Sequence, residues 1–318
     1  MTNNYTPLQE EDNSSFVSDS QHNWGGPWTE EKLDAFEKYV NAYLTIMNKY
    51  RDKFNWKLLY FDGFAGSGTR NTNHESDSEL MMELFKEQDI SLEQINVYQG
   101  AAERVVSIKQ QGFDYYYFVD LDKSANDELK EKLQPYSDQG KKLIFRNRDA
   151  NSIVKEMGKY LADHKNKFKG LVLLDPFGMN LDWETIASLK DASIDLWILV
   201  PSGVIINRLL ERDCTLRHIE KLKQYFGLTK AEIENRFYTM RKDQTLFGEI
   251  EKKEKVKEPI KTIAELYVER LNTLFPYVTP DPLVMTNRLG VPIFHFVFAS
   301  HNKTAMNIAQ QIISKKSK

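Results

Sequence analysis

The stretch Lys57-Leu-Leu-Tyr-Phe-Asp-Gly-Phe-Ala-Gly-Ser-Gly-Thr69 constrains this chain more than any other. Leu58 to Phe61 is an apolar, aromatic-rich run of strand type, and Asp62, Gly63, Gly66 and Gly68 follow it at once. Glycines just past a strand serve a loop that takes positive φ values and lets a ligand lie against bare backbone. In an open α/β sheet that loop faces the ligand crevice. The stretch reads as the entrance of a nucleotide-type pocket, with an ordinary βα turn as the plain alternative.

Four more strands are predicted downstream, each followed by a helical stretch. The second ends in Phe118-Val-Asp-Leu-Asp122. An acid at the end of such a strand accepts hydrogen bonds from both ribose hydroxyls of a nucleoside, which makes Asp120 or Asp122 the ribose candidate. A helix is predicted from Lys123 to Leu133, ending near Pro135. Lys142 to Phe145 is the third strand. Asp149 and Asn151 fall where it hands over to its helix, close to where an adenine would lie, or they serve only as turn and N-cap. The fourth, Gly170 to Leu174, is continuously apolar, as a central strand buried on both faces must be, and it ends in Asp175-Pro-Phe-Gly178. The fifth, Ile194 to Val200, leads through Pro201-Ser-Gly203 into a helix carrying Asn207 and Arg208.

Upstream, Leu33, Phe36, Val40, Tyr43, Leu44 and Met47 recur at helical spacing after a candidate N-cap, Thr29. Trp24-Gly-Gly-Pro-Trp28 before them packs as core or covers a pocket. From about Leu210 to Pro280 the pattern is charge-rich and helical, and the charge run from Glu249 to Glu258 reads as a solvated face. Leu283 to Thr286 and Ile293 to Ala299, joined by a short link, form an antiparallel hairpin. The expected organisation is a disordered tail over 1–22, a core over 23–209, a helical insertion over 210–280, and a closing hairpin and helix over 281–318.

The net charge of −3 lends nucleic acid no support from bulk charge, though it leaves room for a local patch. The single cysteine, Cys214, excludes an intrachain disulfide and a cysteine-based metal cage. With no apolar run long enough to span a bilayer and no signal-peptide pattern, a cytoplasmic setting is expected.

Parallel strands with helical crossovers and a terminal hairpin resemble the Rossmann-like, seven-stranded sheet of the class I S-adenosylmethionine-dependent methyltransferases. Several stretches together resemble one family, the three-Cys-motif partner proteins (TcmP). They are Trp24 to Trp28, Asp62-Gly-Phe-Ala-Gly66, the helix start at Gly100, Asp149-Ala-Asn151, Asp175-Pro-Phe-Gly-Met179 and Trp183-Glu-Thr-Ile186. They continue in Ile194-Asp-Leu-Trp197, Pro201-Ser-Gly203, Asn207-Arg-Leu-Leu210 and Phe294 to Ser300. Two departures stand out. The second strand ends in Asp120 where the family often has a glutamate, and Arg148 stands where a glycine often precedes Asp149.

The resemblance implies an S-adenosylmethionine pocket. Asp62, Gly63, Phe64, Gly66 and Gly68 would take the methionine part, Asp120 or Asp122 the ribose, and Asp149 with Ala150 the adenine. Asp175, Pro176 and Phe177 lie where amino-methyltransferases carry an Asp-Pro-Pro-Tyr type motif. There an acid accepts from the target amine and a ring stacks on the substrate. Here the second proline is absent, so an exocyclic amine of a nucleobase is one target among several. The family name implies a three-cysteine-motif protein as partner, and a non-catalytic module that docks such a protein is the second reading. A nicotinamide oxidoreductase is opposed by the glycine spacing and the terminal hairpin. His295, His301 and Arg208 are given no catalytic role.

Overall fold

The computed structural model describes residues 27–66, 99–109, 112–176, 178–245 and 248–316. The expected tail over 1–22, the Trp24-Gly-Gly segment, Gly68 and Phe177 lie outside the described residues.

A long helix, α1 (Pro27–Phe54), leads into β1 (Lys57–Asp62). Proline suits the first helical turn because its missing N–H has no partner there, so the helix begins at Pro27 and takes in Thr29, which sequence reading places at the cap. Next come α2 (Gln99–Ser107), β2 (Tyr115–Asp120), α3 (Lys123–Asp138), β3 (Leu143–Asn147), α4 (Ala150–Asp163) and β4 (Phe168–Leu174). Helix α3 runs on past Pro135 to Asp138, a turn beyond the expected stop. The fixed φ of proline is helical, so near a helix end Pro135 forfeits one hydrogen bond without ending the helix.

After α5 (Trp183–Ala187) and β5 (Ile194–Val200), a π turn (Ser202–Ile206) replaces the expected start of a helix, and α6 (Asn207–Leu209) is a single turn. Helices α7 (Ile219–Phe226), α8 (Lys230–Phe237) and α9 (Pro259–Asn272) populate the stretch 210–280. Between α8 and α9 lies a hairpin that sequence reading does not find, β6 (Tyr238–Thr245) paired with β7 (Gly248–Lys255). The chain closes with β8 (Tyr277–Val278), β9 (Leu283–Thr286), β10 (Pro292–Ser300) and α10 (Lys303–Lys316).

The main sheet has the order β3-β2-β1-β4-β5-β10-β8, with β9 also paired to β10. Strands β1 to β5 are parallel, and β10 is antiparallel to β5, β8 and β9. This is the strand order of the class I methyltransferases, with the terminal antiparallel hairpin in its expected place. The order reverses between β1 and β4, so their carboxyl ends flank the crevice where an open α/β sheet takes its ligand.

Helix α1 lies across one face of the sheet. Phe36 meets Tyr60, Trp197 and Phe296, Tyr39 meets Trp197 and Phe298, and Tyr43 stacks on Phe113. Strand β5 is buried along its whole length, as a central strand must be.

Candidate functional site

The glycine loop is strapped across the carboxyl end of β1. The Gly63 amide donates to the Leu173 carbonyl of β4 at 3.0 Å, and the Ala65 amide to the Val119 carbonyl of β2 at 2.9 Å. The Gly66 amide donates to Asp120 Oδ2 at 3.0 Å. Gly63 and Gly66 are not among the residues with positive φ, so the expected reason for these glycines is not the operative one. Close approach is. A Cβ on Gly66 would lie 3.1 Å from the Ala125 backbone carbonyl at the start of α3.

The two acids at and just past the end of β2 divide their work. Asp122 caps α3, its Oδ1 accepting from the Ser124 amide at 2.7 Å and the Ala125 amide at 3.2 Å. Asp120, buried at the strand end, accepts the Asp122 amide on Oδ1 at 2.7 Å and the loop amide on Oδ2. Asp120 is therefore the acid in contact with the glycine loop.

At the switch point itself stands an ionic cluster. Asp175, just past β4, pairs with the ammonium of Lys32 from α1 at 2.6 Å, and each side chain is 2% exposed. Asp62 sits beside them at the end of β1, accepting from the Phe64 amide at 3.2 Å and the Tyr60 hydroxyl at 3.1 Å. Burial pushes the Asp62 carboxyl up to about 7. The Phe64 hydrogen bond opposes that rise, the Asp175 charge adds to it, and Tyr60 and Lys32 oppose it. Sequence reading misses Lys32. The available signal is that Lys32 lies four residues before Phe36, on the stripe that α1 turns toward the sheet.

The adenine-side residues lie one strand further out. Asp149 is exposed and caps α4, its Oδ2 accepting from the Ser152 amide and hydroxyl at 2.8 and 2.9 Å. Ala150 is buried at the first position of that helix. Asn151 ties α4 to the next connection, with Nδ2 donating to the Asn180 carbonyl and Oδ1 accepting from the Asp182 amide and the Thr185 hydroxyl. Pro176 is buried beside Asp175.

His295 pairs with Val200 and its Nδ1 is 2.6 Å from Ser202 Oγ. Burial pushes it down to about 4, which keeps it neutral near pH 7. Its neighbour Phe296 points to the α1 face, so strand alternation puts His295 on the other side of the sheet from Lys32 and Asp175. Among the described residues no group of three or more His, Cys, Asp and Glu side chains could hold a metal ion, and no helix is long and apolar enough to cross a membrane.

The fold is methyltransferase-like. No family model matches the chain, and no curated protein matches its sequence. Among solved structures it is similar to a Haemophilus influenzae protein, HI0767, described provisionally as a methylase, with 13% identity over 69% of this chain and 99% of that one. The TM-score is 0.25, too low to add to what the strand order establishes.

Proposed function

We propose that this chain is an S-adenosylmethionine-dependent methyltransferase of the three-Cys-motif partner type, acting on an amine such as the exocyclic amine of a nucleobase. The observation that carries the reading is the contact of the Gly66 amide with Asp120 beside the switch point. It joins the glycine loop to the acid at the end of β2, where a nucleoside cofactor needs room for its chain and an acceptor for its ribose. The residues fit that group, because the loop has no side chain at Gly63 or Gly66, Asp62 and Asp120 end β1 and β2, and Asp149 follows β3.

Asp120 would hold the ribose, Asp149 and Ala150 the adenine, and Asp62 with Gly63, Phe64 and Gly66 the methionine part, with Gly68 continuing the loop. When bound, S-adenosylmethionine supplies an activated methyl group on a sulfonium. The protein's task is then orientation, which can supply several kcal/mol of the barrier. In this reading Asp175 would accept a hydrogen bond from the target amine, Pro176 would accept through its carbonyl, and Phe177 is the residue proposed to stack on the substrate.

Calorimetric titration with S-adenosylmethionine and its demethylated product tests the reading. Micromolar binding is expected, lost in Asp120→Ala and in Gly66→Val, where a branched side chain would meet the Ala125 backbone. No binding by folded wild-type protein sinks it.

One observation favours the docking module instead. The Lys32 ammonium already occupies Asp175 Oδ2, the group an acceptor amine would use. Under that reading Asp175→Ala keeps biological activity, and association with a three-cysteine-motif protein depends on residues 210–280.

A further inference from the structure

We propose that the amino edge of the main sheet, opposite the glycine loop, is a docking surface for single-stranded nucleic acid. Among the described residues the exposed rings of Phe, Tyr and Trp are Tyr50, Phe54 and Tyr160, and all three lie at this edge. Tyr50 and Phe54 stand one helical turn apart at the end of α1, in line with exposed Ile46. Phe54 stacks on Trp56 with centroids 4.7 Å apart and planes 19° apart. The Lys169 ammonium lies 5.0 Å from the Trp56 ring centre and the Lys53 ammonium 5.4 Å from that of Phe54, so a cation accompanies each ring.

The surface continues through Lys57, whose amide donates to the Lys167 carbonyl at 2.7 Å. Next to it, Phe168 packs on Tyr160 and on Tyr115, and the Lys142 ammonium stands over Tyr115. Tyr160 stacks on His164 at 4.3 Å. Lys49, Lys53, Lys142, Lys165 and Lys167 are exposed around these rings. Of the nearby acids, Asp114 is held by Arg51 and Lys57, and exposed Asp52, Asp138, Asp163 and Asp191 stand against those five lysines and the half-buried Lys57 and Lys169.

In a chain of net charge −3, an edge that gathers cations and the exposed rings of the described residues is complementary to a polyanion with flat faces. Phosphates neutralise the lysines and unpaired bases stack on the rings. A duplex has no free base faces to offer. An apolar protein partner would have to desolvate the lysines without replacing their hydration. The proposal does not rest on methyl transfer, and a failed cofactor titration leaves it standing.

Fluorescence anisotropy with a labelled oligonucleotide of about sixteen nucleotides, as DNA and as RNA, tests it. Binding should weaken with salt at a log–log slope of about −0.7 for each phosphate contacted. Phe54→Ala and Tyr160→Ala, both at exposed positions, should each weaken binding on the order of tenfold with unchanged melting. Lys53→Glu with Lys167→Glu should abolish it. Equal affinity for the duplex, for polyglutamate or for anionic vesicles overturns the proposal, as does unchanged binding by the variants.

Discussion

Burying an ammonium and a carboxylate together costs several kcal/mol per ion, and the 2.6 Å contact between Lys32 and Asp175 offsets this only while both partners are present. Lys32→Met should therefore lose about 3–5 kcal/mol in urea unfolding, and Lys32→Met with Asp175→Leu should recover most of it. Failure of the double variant to recover would mean that Lys32 is held by more than this pair. Asp62 makes a second prediction. Its carboxyl titrates at about 7 in the fold against 3.8 when unperturbed, so between those pH values the folded state binds the extra proton. Stability should fall as pH rises through that window and level off above it, and Asp62→Asn should flatten the fall. Urea midpoints measured from pH 4 to about 8 decide the matter. The acids of the site are legible in sequence because each follows an apolar strand run. Lys32 is not, because a lysine on an amphipathic helix reads as solvent-facing until the depth of the crevice beneath it is known.

Between elements, the stretch 210–280 is anchored to the core at Trp183. The Arg270 guanidinium lies 4.4 Å from its ring centre and also donates to the Phe226 and Gly227 carbonyls. Gly227 ends α7 at φ +62, and a Cβ there would lie 2.2 Å from Trp183 Cδ1. Gly227→Ala should cost about 2–5 kcal/mol, the sum of left-handed strain and overpacking, read from the urea midpoint. Beyond its base, where buried Tyr238 donates to the Glu211 carbonyl and Lys255 to Asn207, the β6–β7 hairpin is bound far more loosely. Its cross-strand contacts are charge pairs such as Lys242 with Glu251 at 3.5 Å, and Met240 and Ile250 are exposed. Replacing 241–252 by a short turn should leave the melting temperature nearly unchanged. The hairpin's invisibility in sequence has the same cause: beyond Tyr238 neither strand has a buried face, so there is no apolar alternation, and alternating charge carries no period that separates strand from helix.

Across the whole molecule, α1 joins both edges of the sheet, with Lys32 at the carboxyl ends and Tyr39 at the start of β5. There Tyr39 donates to Asp195 Oδ2 at 2.7 Å and Ser300 to Oδ1 at 2.6 Å. Burial pushes Asp195 up to about 6, and both hydrogen bonds oppose the rise. Because Tyr39 favours the ionised acid, Tyr39→Phe should cost about 1.5–3 kcal/mol above pH 6 and less below it, measured at two pH values. The parallel half of the sheet is readable from strands that alternate with helices, and the closing hairpin from its short link. The pairing of β10 with β5 is not readable, since pairing across about a hundred residues leaves no local mark. That pairing also sets an order of events. With β10 lying between β5 and β8, the ribosome must release residue 300 before the outer edge of β5 can be covered, so a nascent chain carries a bare, largely apolar strand edge while the hundred or so residues after β5 are made.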